Sequence, residues 1–304
     1  MSQSMTTDQG MIAEVVARLD PETVSRASAP ADLVARYLEH QHSDDLGDIG
    51  ADNVAAIIDA HVRLAAHRAA EADSVVADAP DASDTWRLSG STLLQIVTDD
   101  RPFLVDSVTM EITRQDWTIR HLFHPQLRVA RDTDRKLVQE GAGEMIAESW
   151  MTFVVYPPLG VAADELADQL VGGVREVLAE IRLVTDDWTA MRTQLSDAVD
   201  LLGTSTYDSC PDDRDSARDL LRWLRDDNFT LLGSRTYTYD GSRYEPVPGN
   251  GLGVLRTVDD PFDALPTPGE NGVLVFTKDS VRSRVHRGGY RDYVGVRMLD
   301  ETGA

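Results

Sequence analysis

The chain has 304 residues, room for about two domains of ordinary size, and 42% of them are hydrophobic, enough to fill real cores. Its formal net charge of −23 excludes an electrostatic partnership with nucleic acid or an anionic membrane. One cysteine, Cys210, excludes an intrachain disulfide and fits a reducing compartment.

The N-terminus is polar, without a cationic region leading into an apolar core, so no signal peptide is expected. No apolar stretch is long enough to span a bilayer, and a cytoplasmic location is expected. Residues 1–84 read as an acidic helical segment, with 16 Asp and Glu against 5 Arg. Met11 to Leu19 and Asp32 to Glu39 are short amphipathic helices, and Asp52 to Ala70 is a longer one with Val54, Ile57, Ile58, Val62 and Leu64 on its apolar face. His61 and His67 are six apart and do not share a helix face as metal ligands would, so they read as solvated or core-edge histidines. Ala79-Pro80-Asp81-Ala82-Ser83-Asp84 reads as a linker.

The period changes after Trp86. Leu93-Leu94-Gln95-Ile96-Val97 reads as a buried strand, and Leu104, Val105, Val108 and Ile112 follow at helical spacing. Between them, Asp99 or Asp100 is placed to cap the helix and Pro102 to occupy its first turn. Trp117 to Arg131 alternates as a strand, Lys136 to Val138 is a short one, and Ser149 to Tyr156 is a third, stopped by Pro157-Pro158. A helix follows from about Ala162, with Leu166, Leu170, Val174, Val177, Leu178 and Ile181 on one face, and the helical pattern resumes through Trp188 to about Leu202. The class is therefore α+β: residues 85–202 form a β-α-β-β-α sandwich with helices on one sheet face. Residues 203–304 form a second α/β unit, whose completeness the sequence leaves open. It holds a helix carrying Ala217, Leu220, Leu221 and Leu224, a strand from Phe229 to Tyr239, a hairpin turn at Asp240-Gly241, and short strands at Val254-Leu255, Val273 to Phe276 and Tyr293 to Met298.

Three stretches carry charge in a suggestive pattern. The Asp99–Val108 junction is either an ordinary capped helix or a small-ligand pocket in which helix N–H groups and Arg101 hold a carboxylate. Arg120, Leu122, His124, Gln126 and Arg128 share one strand face, a solvated basic surface suited to an acidic patch on another subunit. Lys278 to Arg297 has six Lys and Arg, including Arg282, Arg284 and Arg287, against two Asp. It reads as helix or basic loop over Lys278 to Arg287 and fits an intramolecular or intersubunit contact with the acidic surface. Gly249-Asn250-Gly251-Leu252-Gly253 lacks dinucleotide spacing and reads as a turn. No Walker loop, nucleophile elbow or paired metal spacing is present, and the two lysines, Lys136 and Lys278, have no pocket-like surroundings. No catalytic residue and no metal ligand is assigned.

The run Asp99-Asp100-Arg101-Pro102-Phe103-Leu104-Val105-Asp106-Ser107-Val108 resembles a signature of the large bacterial NAD-specific glutamate dehydrogenases. Glu148-Ser149-Trp150-Met151, Asp186-Asp187-Trp188-Thr189-Ala190-Met191, Leu221 to Gly233, Val281 to Arg287 and Asp292 to Val296 are similar to that family too, in order. The resemblance implies an N-terminal regulatory region with ACT-like modules, the second unit being ACT- or PAS-like. It implies a parent that converts L-glutamate, NAD⁺ and water to 2-oxoglutarate, NADH and ammonium in a distant catalytic domain. It further implies self-association, contact with the rest of that parent, an amino-acid effector, and no cofactor in these residues. A free-standing ACT-type sensor is the alternative. ACT modules usually carry glycine after the proline of their first turn, where this chain has Phe103. Asp99, Asp100, Arg101, Pro102, Phe103 and Leu104 are thus effector or interface positions, and Arg120, His124, Arg128, Arg282, Arg284 and Arg287 are interface positions.

Overall fold

The computed structural model describes residues 2–41, 43–78, 88–204, 211–239, 244–257 and 273–297. The chain divides into two compact units, 1–178 and 179–304. The linker read at 79–84, Cys210 and the Asp240-Gly241 turn lie outside the described residues.

The first unit opens with five helices: α1 (Ser2–Val16), α2 (Pro21–Arg26), α3 (Pro30–Leu38), α4 (Ser43–Ile49) and α5 (Ala51–Ala65). Pro21 and Pro30 begin α2 and α3, where a missing N–H costs nothing. The apolar face expected on the long helix is there: Val54, Ile57, Ile58 and Val62 of α5 are buried. Strands β1 (Ser74–Asp78) and β2 (Thr92–Asp99), helix α6 (Leu104–Arg114), strands β3 (Thr118–Phe123), β4 (Gln126–Arg131), β5 (Leu137–Val138) and β6 (Glu144–Tyr156), and helix α7 (Ala163–Asp186) follow. The sheet runs β1-β2-β6-β4-β5, and β3 also pairs β6. Every pairing in it is antiparallel.

Two details depart from the sequence reading. Ser74–Asp78, inside the stretch read as helical, is an edge strand on β2, because five residues with two adjacent valines gain more from a ladder than from one helical turn. Trp117–Arg131 is not one strand but two, β3 and β4, laid end to end along β6. Pro125 has no N–H to give the ladder; its carbonyl instead accepts from the Trp150 N–H at 3.0 Å. Helices cover both sheet faces, the second face being taken by the N-terminal helices, outside the 85–202 sandwich to which the one-face reading applied. Leu93, Val97, Phe123, Trp150 and Val154 pack into a core with α1, α3, α4 and α5. Leu94, Ile96, Met151 and Phe153 point the other way and are equally buried, as are the apolar faces of α6 and of α7 to Leu178. Runs such as 93–97 and 150–155, apolar but for Gln95 and Thr152, which hydrogen-bond within the core, are what a sheet buried on both sides requires.

One histidine belongs to the core of this unit. His61 is fully buried, with Nδ1 2.8 Å from the Tyr37 hydroxyl and 3.0 Å from Thr152 Oγ1, and Nε2 3.0 Å from the Ile96 carbonyl. Nε2 must carry the hydrogen, because the carbonyl can only accept. Gln95 Nε2 donates to the Ile57 carbonyl (3.0 Å) and to Thr152 Oγ1 (3.2 Å), so α5 is hydrogen-bonded as well as packed to the middle of the sheet.

In the second unit, α8 (Trp188–Thr204) and α9 (Pro211–Trp223), the latter continued by a π-helical turn at Leu224–Asn228, enclose Val199, Leu202, Ala217, Leu221 and Leu224. Among the described residues, three two-stranded ribbons follow: β7 (Gly233–Ser234) with β10 (Leu252–Gly253), β8 (Tyr237–Tyr239) with β9 (Tyr244–Pro246), and β11 (Leu274–Arg282) with β12 (Tyr290–Val296). Lys278–Arg282, read as helix or loop, is therefore strand. The Phe229–Tyr239 strand is broken into β7 and β8, and β10 lies at Leu252–Gly253 rather than Val254-Leu255. The buried Asp187 carboxylate, at the head of α8, accepts from the Gly253 N–H at 2.8 Å and from Arg256. Gly253 has φ +58°, and a Cβ there would overlap the Leu232 carbonyl. Gly253→Ala is expected to cost about 1–3 kcal/mol. Thermal denaturation followed by circular dichroism checks this; an unchanged midpoint would contradict it.

Candidate functional site

The turn between β2 and α6 is built differently from its sequence reading. Leu104 opens the helix, and Phe103 is its N-cap residue, in the left-handed conformation at φ 72°, without a side-chain cap. Pro102 is exposed and precedes the cap, and Leu104 is buried. A phenylalanine thus holds a backbone conformation that glycine adopts without strain. Neither Asp99 nor Asp100 caps the helix, because both carboxylates are engaged toward the sheet.

Asp99 faces α5. It pairs in register with Glu148, accepts from Arg68 Nη2 at 2.6 Å and lies 3.8 Å from Arg101 Nη2. Glu148 is the centre of the cluster, with no exposed surface. It receives Arg131 Nε at 2.6 Å and Nη2 at 2.9 Å, Arg68 Nε at 2.9 Å, and the Trp150 indole N–H at 3.0 Å. Burial pushes its carboxyl up, but the Arg131 hydrogen bonds and charge, the Trp150 bond and the Arg68 charge outweigh that and hold it below its ordinary value. Arg68 responds in kind: burial disfavours its charge, yet Glu148 and Asp99 together raise its pKa. Arg131 also donates to the Ala65 and Arg135 carbonyls at 3.1 and 2.9 Å, and Arg68 to that of Ala72 at 2.9 Å. The end of α5, the β4–β5 turn and the segment before β1 are all held by two guanidinium groups around one carboxylate.

Asp100 turns to the neighbouring edge. Its Oδ1 accepts from Ser149 Oγ at 2.6 Å and Gln126 Nε2 at 2.9 Å, and its N–H donates to the Ala147 carbonyl at 3.1 Å. Ser149 Oγ is 3.2 Å from His124 Nε2. The single hydroxyl hydrogen goes to the acceptor-only carboxylate, so Nε2 donates to Ser149. Burial lowers the His124 pKa, while Asp100 opposes that and His40 adds to it.

The turn therefore brings Asp99 and Arg101 together with Arg68, Glu148 and Arg131, and Asp100 with His124. It does not gather the other basic residues. Arg120 is exposed and pairs with Asp48 of α4 at 3.2 Å, and Arg128 is exposed on β4. In the second unit, Arg282 stacks over the Tyr290 ring at 5.2 Å, Arg284 lies 3.6 Å from Glu180, and Arg287 is exposed beyond β11. Among the described residues, no cluster of three or more His, Cys, Asp or Glu side chains has metal-holding geometry. No helix among them is long and apolar enough to cross a membrane.

Sequence reasoning did not select Glu148 and Arg68 as a site. One signal existed for Glu148: an acidic residue two places before Trp150, and so on the same strand face, needs a buried cation. Arg68 lies eighty residues away in sequence, and nothing local identifies it as that cation.

Residues 33–170 match the family model described as glutamate dehydrogenase, ACT1 domain. The match begins in α3 and ends in α7, so it takes in helices from both sides of the sheet as well as the sheet itself. Among curated proteins, the chain is 28% identical over 242 residues to an NAD-specific glutamate dehydrogenase of Halomonas elongata, covering 74% of this chain and 15% of that one. It is 29% identical to the enzyme of the same name from Pseudomonas aeruginosa, over 72% of this chain and 14% of that one. The Mycobacterium tuberculosis protein of that name is also 29% identical, over 80% of this chain and 15% of its own. The chain thus spans about 15% of the length of the curated relatives it matches. Domain model and relatives agree: the chain is similar to NAD-specific glutamate dehydrogenases over most of its length, and residues 33–170 match their ACT1 domain.

Proposed function

We propose that this chain is a regulatory and assembly segment from the N-terminal part of an NAD-dependent glutamate dehydrogenase. The parent's reaction takes L-glutamate, NAD⁺ and water to 2-oxoglutarate, NADH and ammonium, and the segment itself transfers no hydride. The observation that carries this reading is the coincidence of the ACT1 match, 33–170, with an antiparallel sheet whose polar turn is locked to the helices on one face. The residues present do not fit a dinucleotide. Such a site needs a glycine-rich turn in a parallel βαβ unit, whereas every described strand pairing here is antiparallel and the corresponding turn reads Asp-Asp-Arg-Pro-Phe. In this reading Asp99 through Leu104 form the effector or interface turn, and Arg120, His124, Arg128, Arg282, Arg284 and Arg287 meet acidic surface on a second copy or on the rest of the parent.

Isothermal titration of the purified chain with a panel of amino acids, beside sedimentation velocity, tests it. The expected result is heat with at least one amino acid, weakened about tenfold by Arg101→Gln as for a lost charge-assisted hydrogen bond, and a self-associated species. A stable oligomer with no heat would reduce the role to assembly. A monomer that binds none of them would contradict both halves.

A further inference from the structure

A cavity of about 250 Å³ lies beside the edge strand β3, between the end of α3 and the start of α6. Its volume is just under the range typical of drug-sized ligands and suits a smaller organic molecule. Val105 and Leu122 supply apolar wall. Gln41 closes one side, tied by its Nε2 to the Leu122 carbonyl at 2.8 Å. The remaining lining is nitrogen-bearing: Arg36, His40 and His124, with the Tyr37 ring among them. None of the described lining residues is a carboxylate, in a chain whose acidic residues outnumber its basic ones 52 to 29.

Tyr37, His124 and Arg36 each have a defined partner. The Tyr37 hydroxyl is committed inward to His61. His124 is oriented by the Asp100–Ser149 chain, which takes up its Nε2 hydrogen and leaves Nδ1 as the ring's other polar atom. Arg36 uses one nitrogen on Glu39 at 3.1 Å, a surface pair one helical turn away that leaves most of the guanidinium's five donors uncommitted. One guanidinium beside two imidazoles, with no carboxylate among the described lining residues, attracts a singly charged anionic group. The described lining offers an ammonium no carboxylate of its own: Glu39 and Asp100, which touch that lining, are engaged by Arg36 and by Ser149 and Gln126.

We propose that this cavity binds a small organic carboxylate that lacks an ammonium group, with Arg36 holding the carboxylate and His40 and His124 flanking it. The planar guanidinium matches a carboxylate edge-on with two parallel hydrogen bonds, and Val105 and Leu122 take the carbon chain. The site is distinct from the Asp99–Leu104 turn and does not rest on the regulatory reading, because binding alone establishes it.

The test is isothermal titration of the chain with glutarate and with its ammonium-bearing counterpart, L-glutamate. Glutarate is expected to bind at least tenfold more tightly than L-glutamate at this site. Arg36→Gln, a surface change that leaves the circular dichroism spectrum intact, is expected to weaken glutarate about tenfold or more. Val105→Trp, which fills the cavity, is expected to abolish glutarate binding. Absence of glutarate heat at millimolar concentration would overturn the proposal, as would equal affinity for both ligands, or glutarate binding indifferent to both substitutions.

Discussion

Glu148→Gln is expected to destabilise the first unit by about 3–5 kcal/mol, the cost of leaving buried charge uncompensated. The substitution keeps shape and removes only charge and acceptor capacity. Arg131 is fully buried and Arg68 nearly so, and both would lose the fully buried carboxylate they share. Asp99 can still meet Arg68, but it is partly exposed, and its geometry does not reach Arg131's place in the cluster. Arg120→Ala makes the control: its pair with Asp48 is exposed on both sides and is expected to contribute under about 1 kcal/mol. Urea denaturation of both variants checks the contrast, and equal small losses would contradict it. The same carboxyl fixes an acid limit. Its folded pKa is held below the ordinary value, so its stabilisation is complete above about pH 4.5 and is lost as pH falls through the folded value.

His61 acts at a higher pH. Burial lowers its pKa to about 4, against the smaller opposing effects of the Ile96 carbonyl and the Glu148 charge. Above the ordinary histidine value of about 6.5 the ring is neutral folded and unfolded, and pH has no effect through it. As pH falls from there, the unfolded chain takes a proton that the folded chain refuses. Stability therefore declines, reaching a loss of roughly 3 kcal/mol near pH 4. His121 and His124, also lowered chiefly by burial, add in the same direction. His61→Gln keeps a donor for the Ile96 carbonyl and an acceptor for Tyr37 or Thr152 but cannot titrate. Denaturation midpoints between pH 7 and pH 4 should fall markedly less in that variant than in the parent chain. An identical pH slope in both, or a proton-resonance titration of His61 near pH 6.5, would contradict the assignment.

Local pattern revealed what local energetics decide. The apolar face of α5, the buried strands at 93–97 and 149–156 and the helix from about Ala162 follow from periodicity, and β5 from a turn signal beside it. Ser74–Asp78 is a strand only because β2 lies beside it, and that neighbour is not written into those five residues. The turn at 99–104 was recognisable as polar and special. Which way its carboxylates face depends on Arg68 and Ser149, distant in sequence, and on Phe103 accepting a left-handed backbone. The basic run at Lys278–Arg282 concealed β11, since a ribbon exposed at Phe276 and Val281 shows no clean alternation of apolar and polar residues. Cavity-lining Arg36 and His40, both exposed on or beside α3, carry no mark in the sequence. Only the approach of β3 and α6 makes them walls.

That hydride transfer belongs outside these residues is the claim most directly open to measurement. The purified 304-residue chain, supplied with NAD⁺ and L-glutamate, should show no rise in NADH absorbance above a glutamate-free blank. A glutamate-dependent rise that scales with the concentration of this chain would contradict the account.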